Sequence, residues 1–273
     1  MAGLFGFFDP TKEGPGISKN APKKKAFFVF FETFFRNFFK FFSINLIYIL
    51  VSAPIITHGM AHAGITNVTR NIARDKHSFG LSDFFETIKK NWKQSLAVGI
   101  INTIVTVLIC FAVWFYNESY KQTAQTLSFL GLVLSLSVAA VFAIMNFYIY
   151  TLMITFDFSI KTLYKNSWLF ATLGIKHNLI ITGTLAVIFV LAYILLVLNF
   201  RIGLTIIIVV GAFIYPSFSA FLIQFNVFPE IKKYIIDPYY KEHPDEDIEK
   251  RRDLGLIEYE EESIFEDNGV EED

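Results

Sequence analysis

The stretch that decides the fold is QSLAVGIINTIVTVLICFAVWFYN, residues 94–117. It holds no Asp, Glu, Lys or Arg and is built from Leu, Ile, Val, Phe and Ala, with isolated Asn, Ser, Thr and Gly. A helix needs about 20 such residues to cross roughly 30 Å of hydrocarbon at about 1.5 Å per residue. A charge at the bilayer centre costs roughly 3 kcal/mol on insertion scales, so an apolar run free of charge reads as a transmembrane helix. Four more charge-free windows follow the same rule, at 41–69, 122–156, 177–200 and 202–229. The spans after the first centre near Ile104, Ala140, Val190 and Ala212. With 53% hydrophobic residues in 273, the chain is more apolar than a water-soluble average, and the solvent of its middle is lipid.

The window at 41–69 differs from the rest. Pro54 divides it, and its second half, ITHGMAHAGITNVT, is only weakly apolar and carries His58, His62 and Asn67. Lys and Arg concentrate in cytoplasmic loops. Here they crowd the link holding Arg70, Arg74, Lys76, Lys89, Lys90 and Lys93 and the link holding Lys161, Lys165 and Lys176, whereas the intervening loops offer only Lys121 and Arg201. That alternation puts 70–93, 157–178 and the C-terminal tail inside. Lys12, Lys19, Lys23, Lys24, Lys25, Arg36 and Lys40 also belong inside, which one crossing in the first window would forbid. The resolution is a helix going out, a break at Pro54, and a short polar-dotted helix that either returns across the bilayer or is re-entrant.

The expected architecture is all-α, a polytopic transmembrane helical bundle of five to six membrane helices with short cytoplasmic amphipathic helices. It divides into a cytoplasmic N-terminal segment (1–25), a helical domain (26–229) and an acidic cytoplasmic tail (230–273). The helices are expected at about 34–53, 57–73, 95–116, 127–156, 179–199 and 202–228. The opening residues MAGLFGFFDP lack the basic start and small-residue cleavage site of a removable signal peptide. Residues 27–42 (FFVFFETFFRNFFKFF) space Phe pairs by three and four, which draws one apolar stripe. That stripe fits an interfacial helix in the headgroups or the wet end of the first span. The segments 83–99 and 161–174 each set a basic amphipathic helix with Lys-Asn and a Trp before an outgoing span. This suits either a duplicated unit or the general preference of Trp and Lys for an interface.

Candidate chemistry is sparse. His58 and His62, at i and i+4, share a helix face and are weak candidates for a metal pair, but zinc needs a third ligand and no carboxylate or Cys is near. The small residues around them, Gly59, Ala61, Ala63 and Gly64, fit close helix packing instead. Cys110 is the only cysteine and lies in an apolar run, which excludes an internal disulfide framework. No Walker loop, dinucleotide fingerprint, Gly-x-Ser-x-Gly elbow or HExxH occurs, and no cofactor or nucleic acid is expected. Asn45, Asn102 and Asn146 fall within spans, where they could bond across helices or line a polar path. Asp157 and Glu230 adjoin windows from the cytoplasmic side, where an acid is usually just hydrated.

The order of features over residues 14–100 resembles the YesL family of bacterial membrane proteins, which carries a domain of unknown function numbered 624. The features are Asn45-Leu46, Pro54-Ile55, the small-residue helix with Gly59 and Ala63, the basic exit at Arg70 and Arg74, then Asp83-Phe84-Phe85 and Lys89-Lys90-Asn91. The resemblance implies a bacterial inner-membrane protein with no catalytic residues. It also implies an accessory role beside carbohydrate uptake, with a binding-protein-dependent sugar transporter or a sensor kinase as partner. Asp83, Phe84, Phe85, Lys89, Lys90, Asn91 and Trp92 are the expected contacts, and a small transporter or channel is the alternative.

Overall fold

The computed structural model describes residues 24–243, and they are helical with no strand among them. Helix α1 (Ala26–Arg36) is followed by α2 (Phe38–Ser52), a 3-10 turn (Ile55–Thr57), α3 (His58–Ala73) and the long α4 (Leu81–Thr123). Then come α5 (Thr126–Thr155), α6 (Ile160–Leu173), α7 (Ile175–Leu198), α8 (Phe200–Phe213) and α9 (Tyr215–Ile231), which runs through a π turn into α10 (Asp237–Glu242). Helices α4, α5 and α7 are each long and apolar enough to cross a membrane. The bent pairs α1 with α2 (70°) and α8 with α9 and α10 (57°) raise the count to five if each pair is one span. The protein is an all-α membrane bundle.

Helix α3 is not one of these apolar spans. Its 16 residues cover about 24 Å, less than the hydrocarbon thickness. It packs against α2, α4, α5 and α9, and Ala61, Ala63, Ile65, Val68 and Thr69 are almost without exposure. Two glycines permit this. A Cβ on Gly59 would stand 2.6 Å from the Gly99 Cα and closer still to the Ser95 carbonyl oxygen, and a Cβ on Gly99 would stand 2.7 Å from the Gly59 Cα. The backbones of α3 and α4 touch at this point, as small residues allow in membranes. One turn further on, the Phe84 ring fills the space over Gly64.

Several boundaries differ from the sequence reading, each for a local reason. The helix expected at 34–53 is two helices, because Asn37 leaves the helical region (φ −106°, ψ 15°) and turns its side-chain amide to the Thr33 carbonyl. The Phe stripe thereby splits its duties. Phe30, Phe34 and Phe41 pack ring against ring on Phe221 and Phe218 of α9, with centroids 4.9 to 6.2 Å apart, while Phe27, Phe28, Phe35 and Phe39 face outward. The 70° turn between α1 and α2 is open to both readings of the Phe stripe, a helix in the headgroups or the wet end of the first span.

The helix expected at 95–116 begins at Leu81, because the amphipathic segment continues into the span across a kink at one non-helical residue, Asn91 (φ −112°, ψ 15°). The window at 202–229 is broken at Ile214 (φ −129°, ψ −46°), ahead of Pro216. The residues from 230 on, assigned to a solvated tail, stay helical to Glu242 and bury Ile231, Ile236 and Tyr240. The expected segment 1–25 up to residue 23, and the tail from residue 244, lie outside the described residues.

The break at 214 is stitched by Asn45. Its amide donates to the Phe213 carbonyl (2.6 Å) and the Ser217 hydroxyl (2.9 Å), and its oxygen accepts from the Ser217 N–H (2.7 Å). One side chain thus pairs an orphan carbonyl at the end of α8 and an orphan N–H at the start of α9, groups that lipid cannot satisfy.

Two predictions follow from this packing. Gly59→Val forces a side chain into the α4 backbone and should destabilise the bundle by about 1–3 kcal/mol or more. Gly183→Ala and Gly211→Ala, where a Cβ meets nothing within 4 Å, should leave thermal unfolding of the detergent-solubilised protein unchanged. Asn45→Ala should cost about 1–3 kcal/mol by orphaning buried partners, read as a lower melting temperature in the same assay. A wild-type melt for either variant contradicts the role assigned to it.

Candidate functional site

The main cavity opens between α2, α3, α4, α5, α7 and α9 and has a volume of about 740 Å³. Its position follows from α3 being short. Where α3 begins at His58, α4 and α5 run on beyond it, and the space above that end is left for α7 and α9 to wall. Apolar side chains such as Val107, Phe147, Leu185 and Ile223 line it together with hydrogen-bonding ones such as Asn102, Asn146, Tyr150 and Gln224. No Asp, Glu, Lys or Arg lines it.

The polar groups form two short networks. Tyr164 of α6 donates its hydroxyl to the Asn102 oxygen (2.7 Å), Asn102 donates to Asn146 (2.8 Å), and Asn146 donates to the Phe142 carbonyl (2.8 Å). Gln224 of α9 donates to the Thr151 hydroxyl at 2.8 Å, and both residues are buried. Beside them His62 shares a hydrogen bond with the Tyr48 hydroxyl (2.9 Å) and stacks on the Tyr150 ring, 5.1 Å between centroids and 22° between planes.

Of the intramembrane asparagines, Asn102 and Asn146 meet at the cavity, but Asn45 does not line it; the structure uses that residue at the α8–α9 break. A path built on all three is therefore corrected to a site built on two. His58 and His62 come together, their rings 4.5 Å apart, against Tyr48 and Tyr150. Among the described residues no group of three or more His, Cys, Asp and Glu gathers.

The expected contact segment at the start of α4 is anchored on one side and open on the other. Asp83 accepts from the Ser78 hydroxyl (2.7 Å) and the Phe79 N–H (3.1 Å), a carboxylate in the first helical turn satisfying groups of the preceding loop. Phe84 is wholly buried, and Asn91 marks the kink, its amide reaching the Thr87 carbonyl. Phe85, Lys89, Lys90 and Trp92 are exposed. The second Lys-Asn-Trp segment places Trp168 outward in the same way on α6.

Reading the sequence by its charge-free windows missed the tyrosines. Tyr48, Tyr150, Tyr164 and Tyr215 supply as much of this neighbourhood's polarity as the asparagines, and the only signal was their presence inside or beside apolar windows. Arg70 reads in the sequence as part of the basic exit at the cytoplasmic end of the 57–73 helix. It stands in the last turn of α3, half-buried, and donates to the Thr155 hydroxyl (2.7 Å) and the Asn67 oxygen (2.8 Å). Glu230 pairs with His177 at 2.6 Å, closing the α7–α9 contact rather than standing hydrated. At the edge of the bundle Lys24 sits 2.6 Å from Glu32, and that ammonium holds the Glu32 carboxyl below its ordinary value.

No curated protein and no solved structure matches the chain. The family model described as "Protein of unknown function, DUF624" matches residues 41–117. That span comprises nearly all of α2, the whole of α3 and α4 as far as Asn117, including the Gly59–Gly99 contact and the start-of-α4 segment. Over that segment the chain is similar to the DUF624 family.

Proposed function

We propose that the protein is a non-enzymatic component of a bacterial inner membrane. In this reading it serves carbohydrate uptake as an accessory partner of a binding-protein-dependent sugar transporter or its sensor kinase. The supporting observation is the first part of α4. Phe84 and Asp83 fix it to the bundle, while Phe85 and Trp92, exposed by 42% and 50%, share an outward face with Lys89, and Lys90 is exposed beside it. Aromatic side chains held in place lose little entropy on binding and suit the centre of an interface. The uptake connection rests on the resemblance to the YesL family. The charge alternation of the links puts this face, and both chain ends, on the cytoplasmic side.

A second reading, a small transporter in its own right, is favoured by one observation: the cavity at the Asn102–Asn146 pair, walled by several helices.

Photocrosslinking separates the two. A benzoylphenylalanine at position 85 or 92 should give a stoichiometric adduct with a transporter or kinase subunit in cells taking up sugar, and one at position 114, on the far half of α4, should not. Adducts with lipid alone at 85 and 92 rule out the accessory reading. For the transport reading, Asn102→Ala with Asn146→Ala should abolish solute uptake by reconstituted vesicles; unchanged uptake removes its support.

A further inference from the structure

We infer that the cavity at the start of α3 is a binding site for an uncharged, hydroxyl-bearing small molecule with an apolar flank. This inference stands apart from the partner reading, which concerns the first turns of α4; it shares its cavity with the transport reading but requires binding alone, not passage.

Three observations carry it. First, the volume of about 740 Å³ lies in the roughly 300–1,000 Å³ range of small-molecule sites. Second, the lining selects against charge. Its polar side chains are neutral amides, hydroxyls and imidazoles, and no Asp, Glu, Lys or Arg stands among them to compensate an ion taken out of water. Third, not all of its polar groups are used up by one another. The Asn102–Asn146 and Gln224–Thr151 pairs are internally satisfied, but the His58 ring and the Thr106 and Tyr215 hydroxyls reach the cavity with no hydrogen bond to any described residue. In a membrane interior such groups need water or a ligand. They share the lining with the His62 and Tyr150 rings and with Val107, Phe147, Leu185 and Ile223, so donors, acceptors and apolar surface face one space. That combination matches a molecule with hydroxyls on one side and carbon–hydrogen surface on the other.

The test reads charge selection directly, with the full chain in detergent. In a Cys110→Ala background, single cysteines are placed on opposite walls as Thr103→Cys and Ser219→Cys, with Ser82→Cys as an exposed reference. Each is labelled with three methanethiosulfonates of one chemistry: neutral hydroxyethyl, cationic trimethylammonium-ethyl and anionic sulfonatoethyl. Rates are taken relative to the reference, so that the ratio between reagents at one cysteine cancels its own reactivity.

The expected result is that the hydroxyethyl reagent keeps at least ten times more of its reference rate at both wall positions than either ion. Adding Asn102→Asp to the Ser219→Cys protein should then raise the cationic rate several-fold and lower the anionic one. If an ion labels the walls as readily as the neutral reagent, or if none of the three reacts, the inference is overturned. An unaltered charge ratio after Asn102→Asp overturns it too. The two wall positions lie on different helices, so a misfolded variant, seen by loss of monodisperse elution, leaves the other to decide.

Discussion

The backbone contact between Gly59 and Gly99 is the constraint on which the rest of the bundle depends. Lipid offers no hydrophobic drive for helices to associate, so association rests on close packing and on hydrogen bonds made where no water competes. A helix with as many polar residues as α3 could not stand against lipid. It is tolerated because α2, α4, α5 and α9 enclose it, and they can do so only if it approaches α4 without side chains between. Its burial then lets His62, Thr66, Asn67 and Arg70 find partners or line internal space, and its shortness opens the cavity above its first turn.

The second requirement is that every interruption of a helix be satisfied from within. The chain breaks its helices at Asn37, at Ser52 to Thr57, at Asn91 and at Ile214, and at each break a nearby polar side chain takes up freed backbone groups. Asn37 and Asn91 reach back four residues to a carbonyl, Thr57 donates to the Val51 and Pro54 carbonyls, and Asn45 crosses from α2 to serve the gap between α8 and α9. An asparagine in an apolar window is therefore ambiguous by nature. Asn45 is a splice for a broken helix, while Asn102 and Asn146 line a cavity, and the residue type is identical.

That ambiguity explains how much of the site could be read in advance. The pair Asn102 and Asn146 was visible as polar atoms in apolar windows, but their meeting with Tyr164, and the gathering of Tyr48, His62 and Tyr150, joins residues distant in the chain. A tyrosine in a span reads equally as interface anchor or core, because its ring is apolar and its single hydroxyl is decided by whichever neighbour arrives. Arg70 misled for the converse reason: an arginine beside a loop usually snorkels to water, and here α5 closes over it with the Thr155 hydroxyl.

By itself the sequence determined the solvent and the class of structure. Long windows without ionised groups demand helices in lipid, since the desolvation of a charge is a property of the residue and needs no knowledge of the fold. It set residues 57–73 apart from the other windows too, because their polarity is written in the residues. Only the tertiary structure decided where the breaks at Asn37 and Ile214 fall, which face of the Phe stripe is buried, and which polar side chains meet around a cavity. Those outcomes turn on distances between helices remote in the chain, and such distances are set by packing volume and backbone approach, quantities that a one-dimensional pattern does not contain.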